Sequence, residues 1–216
     1  MLTKKIDFAV LIPVFNTKAS ELLEAVLSVL PKNQTLGEYY DIWIVDDGST
    51  KKDTLVCLEF LKNTLGIKLI RLYENSGTSA ALNAGHEAIK NEWIAIMGSS
   101  DISLNFRFKL QVEHLLENND IDVLGTNLYS FKESDPSRRP IYTSSHKYET
   151  RLGERSEGWL TNHGTVMYKN NSVKEVGGYK LPGRCQDVDL WKRMFLAGKK
   201  IRTLNQVTYG WRKANI

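Results

Sequence analysis

Four groups of residues carry chemistry by type and spacing. Asp46 and Asp47 run directly into Gly48-Ser49-Thr50, and Asp101 closes the string Gly98-Ser99-Ser100. Gly77 and Ser79 open a stretch that continues through Asn83 to Gly85, and Asp187 and Asp189 precede the apolar pair Leu190-Trp191. Adjacent carboxylates after an apolar run place charge where burial is costly, unless a ligand or a cation accepts it. The same Asp-Asp-Gly-Ser-Thr string also suits a turn and a helix N-cap, so both readings stand. Small residues between 77 and 85 let backbone N–H groups approach an anion at a helix mouth, or let a helix pack closely on a strand. As a dinucleotide-binding GxGxxG the segment fails, because Gly77 and Gly85 are eight positions apart. Asp187 and Asp189 in the first turn of a helix are stabilised by its dipole; aimed into a cleft, Asp187 can serve as general base. Trp159 offers a flat face to the C–H face of a sugar and His163 offers ring nitrogens, although each residue type is as much at home in a structural place.

These residues need strands and helices to bring them together, and the first hundred residues alternate the two. Phe8–Val14 reads as a buried strand, followed by a helix stripe of Leu22, Leu23, Val26, Val29 and Leu30. Asp41–Val45 is a second strand, and Leu55, Leu58, Leu61 and Leu65 form a helix stripe closed by Gly66. Lys68–Leu72 is a third strand, then a helix over Ser79–Lys90, and Glu92–Met97 is a fourth strand. Such alternation predicts an α/β protein with a mainly parallel sheet flanked by helices. Ligands bind beyond the carboxyl ends of such strands, and those ends carry Asn16, Asp46-Asp47 and Asp101. Later come a helix over Leu104–Glu117, a strand over Asp122–Tyr129 and a polar stretch over Lys132–Gly158 read as a functional loop or lid. A strand over Gly164–Tyr168, a helix over Gln186–Ala197 and a final pair of strands, Lys200–Leu204 and Val207–Trp211, complete the pattern.

The 216 residues include 29 Lys and Arg against 25 Asp and Glu, with 42% hydrophobic residues. That is the composition of an ordinary globular protein and excludes collagen-like and disordered classes. A surplus of four positive charges, scattered along the chain, argues against a nucleic-acid partner. Two cysteines, Cys57 and Cys185, build no disulfide framework, and the apolar run at Phe8–Phe15 is too short to span a bilayer or to act as a signal peptide. A cytoplasmic address is expected, compatible with contact at the inner face of a membrane.

In their order and spacing, Ile12-Pro-Val-Phe-Asn16, Val45-Asp-Asp-Gly-Ser-Thr50, Glu74-Asn-Ser-Gly77, Asn83-Ala-Gly85, Ser99-Ser-Asp101, Gly177-Gly-Tyr179 and Gln186-Asp-Val-Asp-Leu-Trp-Lys-Arg193 resemble the inverting nucleotide-sugar glycosyltransferases of family 2, over nearly the whole chain. The resemblance implies a GT-A fold, a Rossmann-like sheet with a smaller acceptor-side region toward the C-terminus. Residues 1–101 would form the nucleotide-sugar half of one domain and 102–216 the acceptor and catalytic half, within what could be the catalytic part of a longer chain. It implies a nucleotide-sugar site of Pro13, Val14, Asn16, Asp46, Asp47, Gly77, Asn83, Ser99, Ser100 and Asp101, with Asp47 accepting from a uracil ring. Asp187 would be the base that activates an acceptor hydroxyl on a glycan or lipid, with Trp159 and His163 at the acceptor. A divalent metal, Mn²⁺ or Mg²⁺, would sit at Asp101. The chain departs from the family pattern at Gly98 and Ser100, where paired acids usually bind that metal, and at Leu82, where relatives often carry an Arg. Arg184 and Arg193 are then candidates to face the diphosphate, and the alternative to a transferase is a weak or inactive nucleotide-sugar-binding module.

Overall fold

The computed structural model describes residues 5–132, 135–141, 161–182 and 185–213. Four parallel strands form its first half: β1 (Phe8–Val14), β2 (Asp41–Asp46), β3 (Lys68–Arg71) and β4 (Trp93–Ile96), in the spatial order β3-β2-β1-β4. Three helices make the crossovers: α1 (Ala19–Val29), α2 (Lys52–Leu65) and α3 (Thr78–Ala88). Their apolar stripes explain where they lie. Leu22, Ala25, Val26 and Val29 of α1 are fully buried, as are Ala81 and Leu82 of α3 on another part of the core. Burying each large aliphatic side chain contributes about 1.5–3 kcal/mol against leaving it in water. Gly66 ends α2 in the left-handed conformation, φ 66°, that a side chain would strain.

Beyond β4 the sheet becomes mixed. The remaining elements are β5 (Ile102–Ser103), α4 (Arg107–Glu117), β6 (Val123–Lys132), β7 (Asp135–Ile141), β8 (Met167–Lys169), α5 (Asn170–Glu175), α6 (Gln186–Leu196) and β9 (Ile201–Arg212). β8 runs antiparallel to both β4 and β6, β6 lies parallel to β9, and β5 pairs with β9. The architecture is thus α/β with a curled, mainly parallel sheet flanked by helices, as expected.

Three expectations change. The final pair of strands is one strand, β9, whose register against β6 shifts between Thr126 and Leu128; a bulge absorbs Asn205-Gln206 without ending the pairing. Part of the polar stretch is β7, an edge strand on β6, which backbone pairing holds without apolar periodicity; its Pro136 and Pro140 suit an edge. The strand expected at Gly164–Tyr168 is shorter and preceded by a single 3₁₀ turn over His163–Thr165.

Candidate active site

The carboxyl ends of β1 and β2 lie side by side, Val14 opposite Asp46, and the residues that follow are cross-linked. Asn16 has a φ of 51°. Its Oδ1 accepts from the N–H groups of Thr50 (2.9 Å) and Lys51 (2.8 Å), and its own N–H donates to Ser49 Oγ at 2.8 Å. Asn16 therefore ties the end of β1 to the start of α2, satisfying donors that a helix terminus leaves open. Strand alternation turns Val14 into the core at 1% exposure and leaves Phe15 half exposed at 47%. The side chain available to a ligand at this end is Phe15 rather than Val14; Pro13 is partly buried.

Asp46 and Asp47 divide the two roles left open by their sequence. Asp46 is fully buried, accepts from the Ser49 N–H at 3.1 Å and pairs with Arg71 Nε at 2.9 Å. Its charge is matched inside the fold, by a residue directly opposite it in the β2–β3 register. Asp47 accepts three hydrogen bonds from the connection before α3: Ser76 N–H on Oδ1 (2.8 Å), Gly77 N–H (2.8 Å) and Asn75 Nδ2 (2.9 Å) on Oδ2. Asp47 thus shapes one wall of the site by holding residues 75–77 against β2.

The turn after β4 closes on itself. Ser99 Oγ meets Thr17 Oγ1 at 2.7 Å, joining this turn to the end of β1. Asp101, 9% exposed, points inward: Oδ2 accepts from the Tyr209 hydroxyl at 2.7 Å and Oδ1 from the Arg212 N–H at 2.9 Å. The Tyr209 hydroxyl accepts in turn from the Gly98 N–H at 2.9 Å, and Arg212 Nε donates to the Ser100 carbonyl at 2.8 Å. Burial pushes the Asp101 carboxyl pKa up, against the opposing pull of those two donors. Beneath Tyr209 lies Arg107, fully buried, hydrogen-bonded to the carbonyls of Ile96 (3.0 Å) and Val166 (3.3 Å), its pKa lowered by burial to about 10. The residues present do not fit a resident divalent metal: Asp101 is committed to β9, and Gly98 and Ser100 bring no acid. Among the described residues, no three His, Cys, Asp or Glu side chains gather as a ligand set.

Asp187 opens α6 and is 5% exposed. Burial pushes its carboxyl pKa up, partly offset by hydrogen bonds from the N–H groups of Val188 and its own residue. Its helix is anchored to α3 through the Gly177-Gly178-Tyr179 turn. Asn83 holds Tyr179 at two points, Nδ2 donating to its carbonyl (2.8 Å) and Oδ1 accepting from its N–H (2.9 Å). Arg193 grips the same turn, donating to the carbonyls of Val176 (2.6 Å) and Gly178 (2.7 Å) while pairing with Asp189. Those bonds commit Arg193 to the fold. Asn83, expected at the nucleotide, is a clamp between α3 and the turn before α6. Gly85 answers the packing alternative, since a Cβ there would fall 2.5 Å from Leu11 Cδ1. Leu82 faces the core.

His163 Nε2 is 2.7 Å from the Tyr179 hydroxyl, which continues to Tyr168 at 3.2 Å and from there to His86 Nε2 at 2.8 Å. Burial lowers the pKa of His163 and of His86 to about 4, so both rings are neutral. His163 is thus one end of an internal hydrogen-bonded chain, its ring tilted at 49° to that of Trp191 with centroids 6.1 Å apart. Trp159 and Arg184 lie outside the described residues. The sequence reading missed Tyr209, Arg212, Arg107 and Arg71. Only Arg71 left a signal, as a basic residue closing the strand beside the one that ends in Asp46.

Residues 9–177 match the family model described as Glycosyl transferase family 2. An uncharacterized glycosyltransferase of Methanocaldococcus jannaschii is 24% identical over 207 residues, 96% of this chain and 71% of the relative. The amylovoran biosynthesis glycosyltransferase AmsE of Erwinia amylovora is 27% identical over 200 residues, 93% of this chain and 74% of the relative. Among solved structures, S. aureus TarS matches with a TM-score of 0.72 at 20% identity, over 95% of this chain but 36% of that one. A structure of TarS residues 1–349 in complex with UDP matches with a TM-score of 0.71, covering 60% of that chain. Among the described residues no helix is long and apolar enough to cross a membrane.

Proposed function

Since this chain belongs to glycosyl transferase family 2, we propose that it moves a sugar from a UDP-sugar to a hydroxyl of a glycan or lipid-linked acceptor, inverting the anomeric carbon, with Asp187 as general base. The observation that carries this reading is Asp187 itself, a nearly buried carboxyl of raised pKa at the mouth of a helix held by Asn83, Tyr179 and Arg193. A carboxylate whose proton affinity is raised by burial is a stronger base than a solvated one. The acceptor oxygen attacks the anomeric carbon while the bond from that carbon to the diphosphate oxygen breaks. That electron pair departs with the nucleoside diphosphate, and the hydroxyl proton passes to Asp187. One base suffices, where a glycosidase needs two carboxylates.

UDP as the leaving group is supported by the UDP complex of TarS, and a polysaccharide acceptor by the amylovoran pathway named for AmsE. The half-exposed ring of Phe15 supplies a face on which a nucleobase can stack, beside the wall that Asp47 holds in place. Asp187→Asn should retain UDP binding and lose transfer by about 10²–10⁴-fold, the ordinary span of general-base catalysis. Undiminished transfer by the variant would overturn the base assignment. UDP binding by the wild-type protein without turnover of any donor and acceptor pair would favour a binding module.

A further inference from the structure

The turn that closes β4 has the geometry of a site built to do without a metal, and we infer that this protein binds its nucleoside diphosphate without a divalent cation. The inference rests on the nucleotide-sugar reading above.

Three positions make the case together. Position 98 has no side chain and no room for one: a Cβ would fall 2.2 Å from Asp101 Oδ2 and 3.1 Å from the Tyr209 hydroxyl. Position 100 is a neutral serine whose carbonyl already accepts from Arg212 Nε. Asp101 has both oxygens engaged by β9, one by the Tyr209 hydroxyl and one by the Arg212 N–H. A hard dication needs oxygen ligands that converge and are free to turn toward it. Here the acid turns away, in a space that exists because residue 98 is glycine, so the missing acid and the inward carboxylate are one arrangement.

The local charge points the same way. The Arg212 guanidinium lies on the Ser100 carbonyl and is itself paired with Glu24, so a protein cation already stands beside the 98–101 turn. To recruit Asp101, a metal would have to enter a nearly buried site, share oxygens already held by the Tyr209 hydroxyl and the Arg212 N–H, and approach that guanidinium.

Calorimetric titration of the whole chain with UDP and with GDP, in excess EDTA and in excess MnCl₂, tests this, together with the electron spin resonance signal of free Mn²⁺. The expected result is a UDP affinity that changes by less than about threefold between the two conditions, with the free Mn²⁺ signal no lower than in UDP alone. Affinity raised tenfold or more by Mn²⁺, equivalent to about 1.4 kcal/mol, or Mn²⁺ taken up with the nucleotide, would overturn the inference and leave the nucleotide-sugar reading intact. Absence of nucleotide binding in both conditions would overturn that reading, and this inference with it.

Discussion

A single methyl group at position 98 measures how tightly the turn after β4 is built. Gly98 is not among the residues of positive φ, so the backbone accepts alanine and only the new Cβ matters. That atom would lie 2.2 Å from Asp101 Oδ2 and 3.0 Å from its Cγ. The first distance is far inside van der Waals contact, so the carboxyl must swing away. The swing takes it from the Tyr209 hydroxyl and the Arg212 N–H, in a place where Asp101 is 9% and Tyr209 1% exposed. Hydrogen bonds to a charged acceptor contribute about 1.5–3 kcal/mol each, so Gly98→Ala should cost about 2–4 kcal/mol after partial re-pairing. That is a large part of the 5–15 kcal/mol or so by which domains are stable. Urea unfolding would register it as a lower midpoint at unchanged slope. In an Asp101→Ala background the same methyl group meets no carboxyl and should cost less than about 1 kcal/mol, a strong departure from additivity. Additive costs, or a loss under about 1 kcal/mol in the wild-type background, would refute the reasoning.

Removing the charge at Asp187 should separate stability from activity. A raised carboxyl pKa means that the folded state holds its proton more tightly, so stability falls as pH rises through the window above the ordinary carboxylate value. Asp187→Asn should therefore unfold at higher temperature than the wild type at neutral pH while losing transfer; a lower melting temperature would count against burial as the cause. His86 works in the opposite sense, its pKa lowered to about 4, so stability is lost as pH falls from about 6.5 toward 4, by up to roughly 3 kcal/mol at 1.36 kcal/mol per pH unit. Unfolding midpoints at pH 7 and 5 should differ less in His86→Gln than in the wild type. Asn83→Ala removes both bonds to Tyr179, and should cost about 2 kcal/mol and lower kcat with UDP affinity nearly unchanged. An equal loss of UDP affinity would mean that Asn83 meets the nucleotide. Asp47→Ala frees residues 75–77 from β2 and should weaken UDP binding more than Asp46→Asn does, as titration calorimetry would show.

The strands and helices of the first half were legible because each is a local pattern: an uncharged run for β1, a stripe of Leu and Val for α1, and Gly66 to end α2. The second half was less so. β9 is long because β6 offers it a continuous partner, and β7 is held by pairing alone, neither of which leaves a period in the sequence. The candidate site shows the same division. Asp187, Asp47 and Asn16 stand at the strand and helix ends where their motifs suggested, but the partners of Asp47 and Asn16 are 28 to 35 positions away, across the sheet.

What the sequence determined by itself is the family, the α/β order of elements and the short list of polar residues that end the strands. Those are properties of residue type and spacing, which a chain carries whether folded or not. Only the tertiary structure decided what each acid does. Asp46, Asp47 and Asp101 look alike in sequence, yet one is neutralised by Arg71, one holds a loop and one faces Tyr209, 108 positions further along. A carboxylate's role follows from which donors surround it and how much water is left. Those partners are assembled from distant segments, so the role appears only once β9 has been laid beside the turn that follows β4.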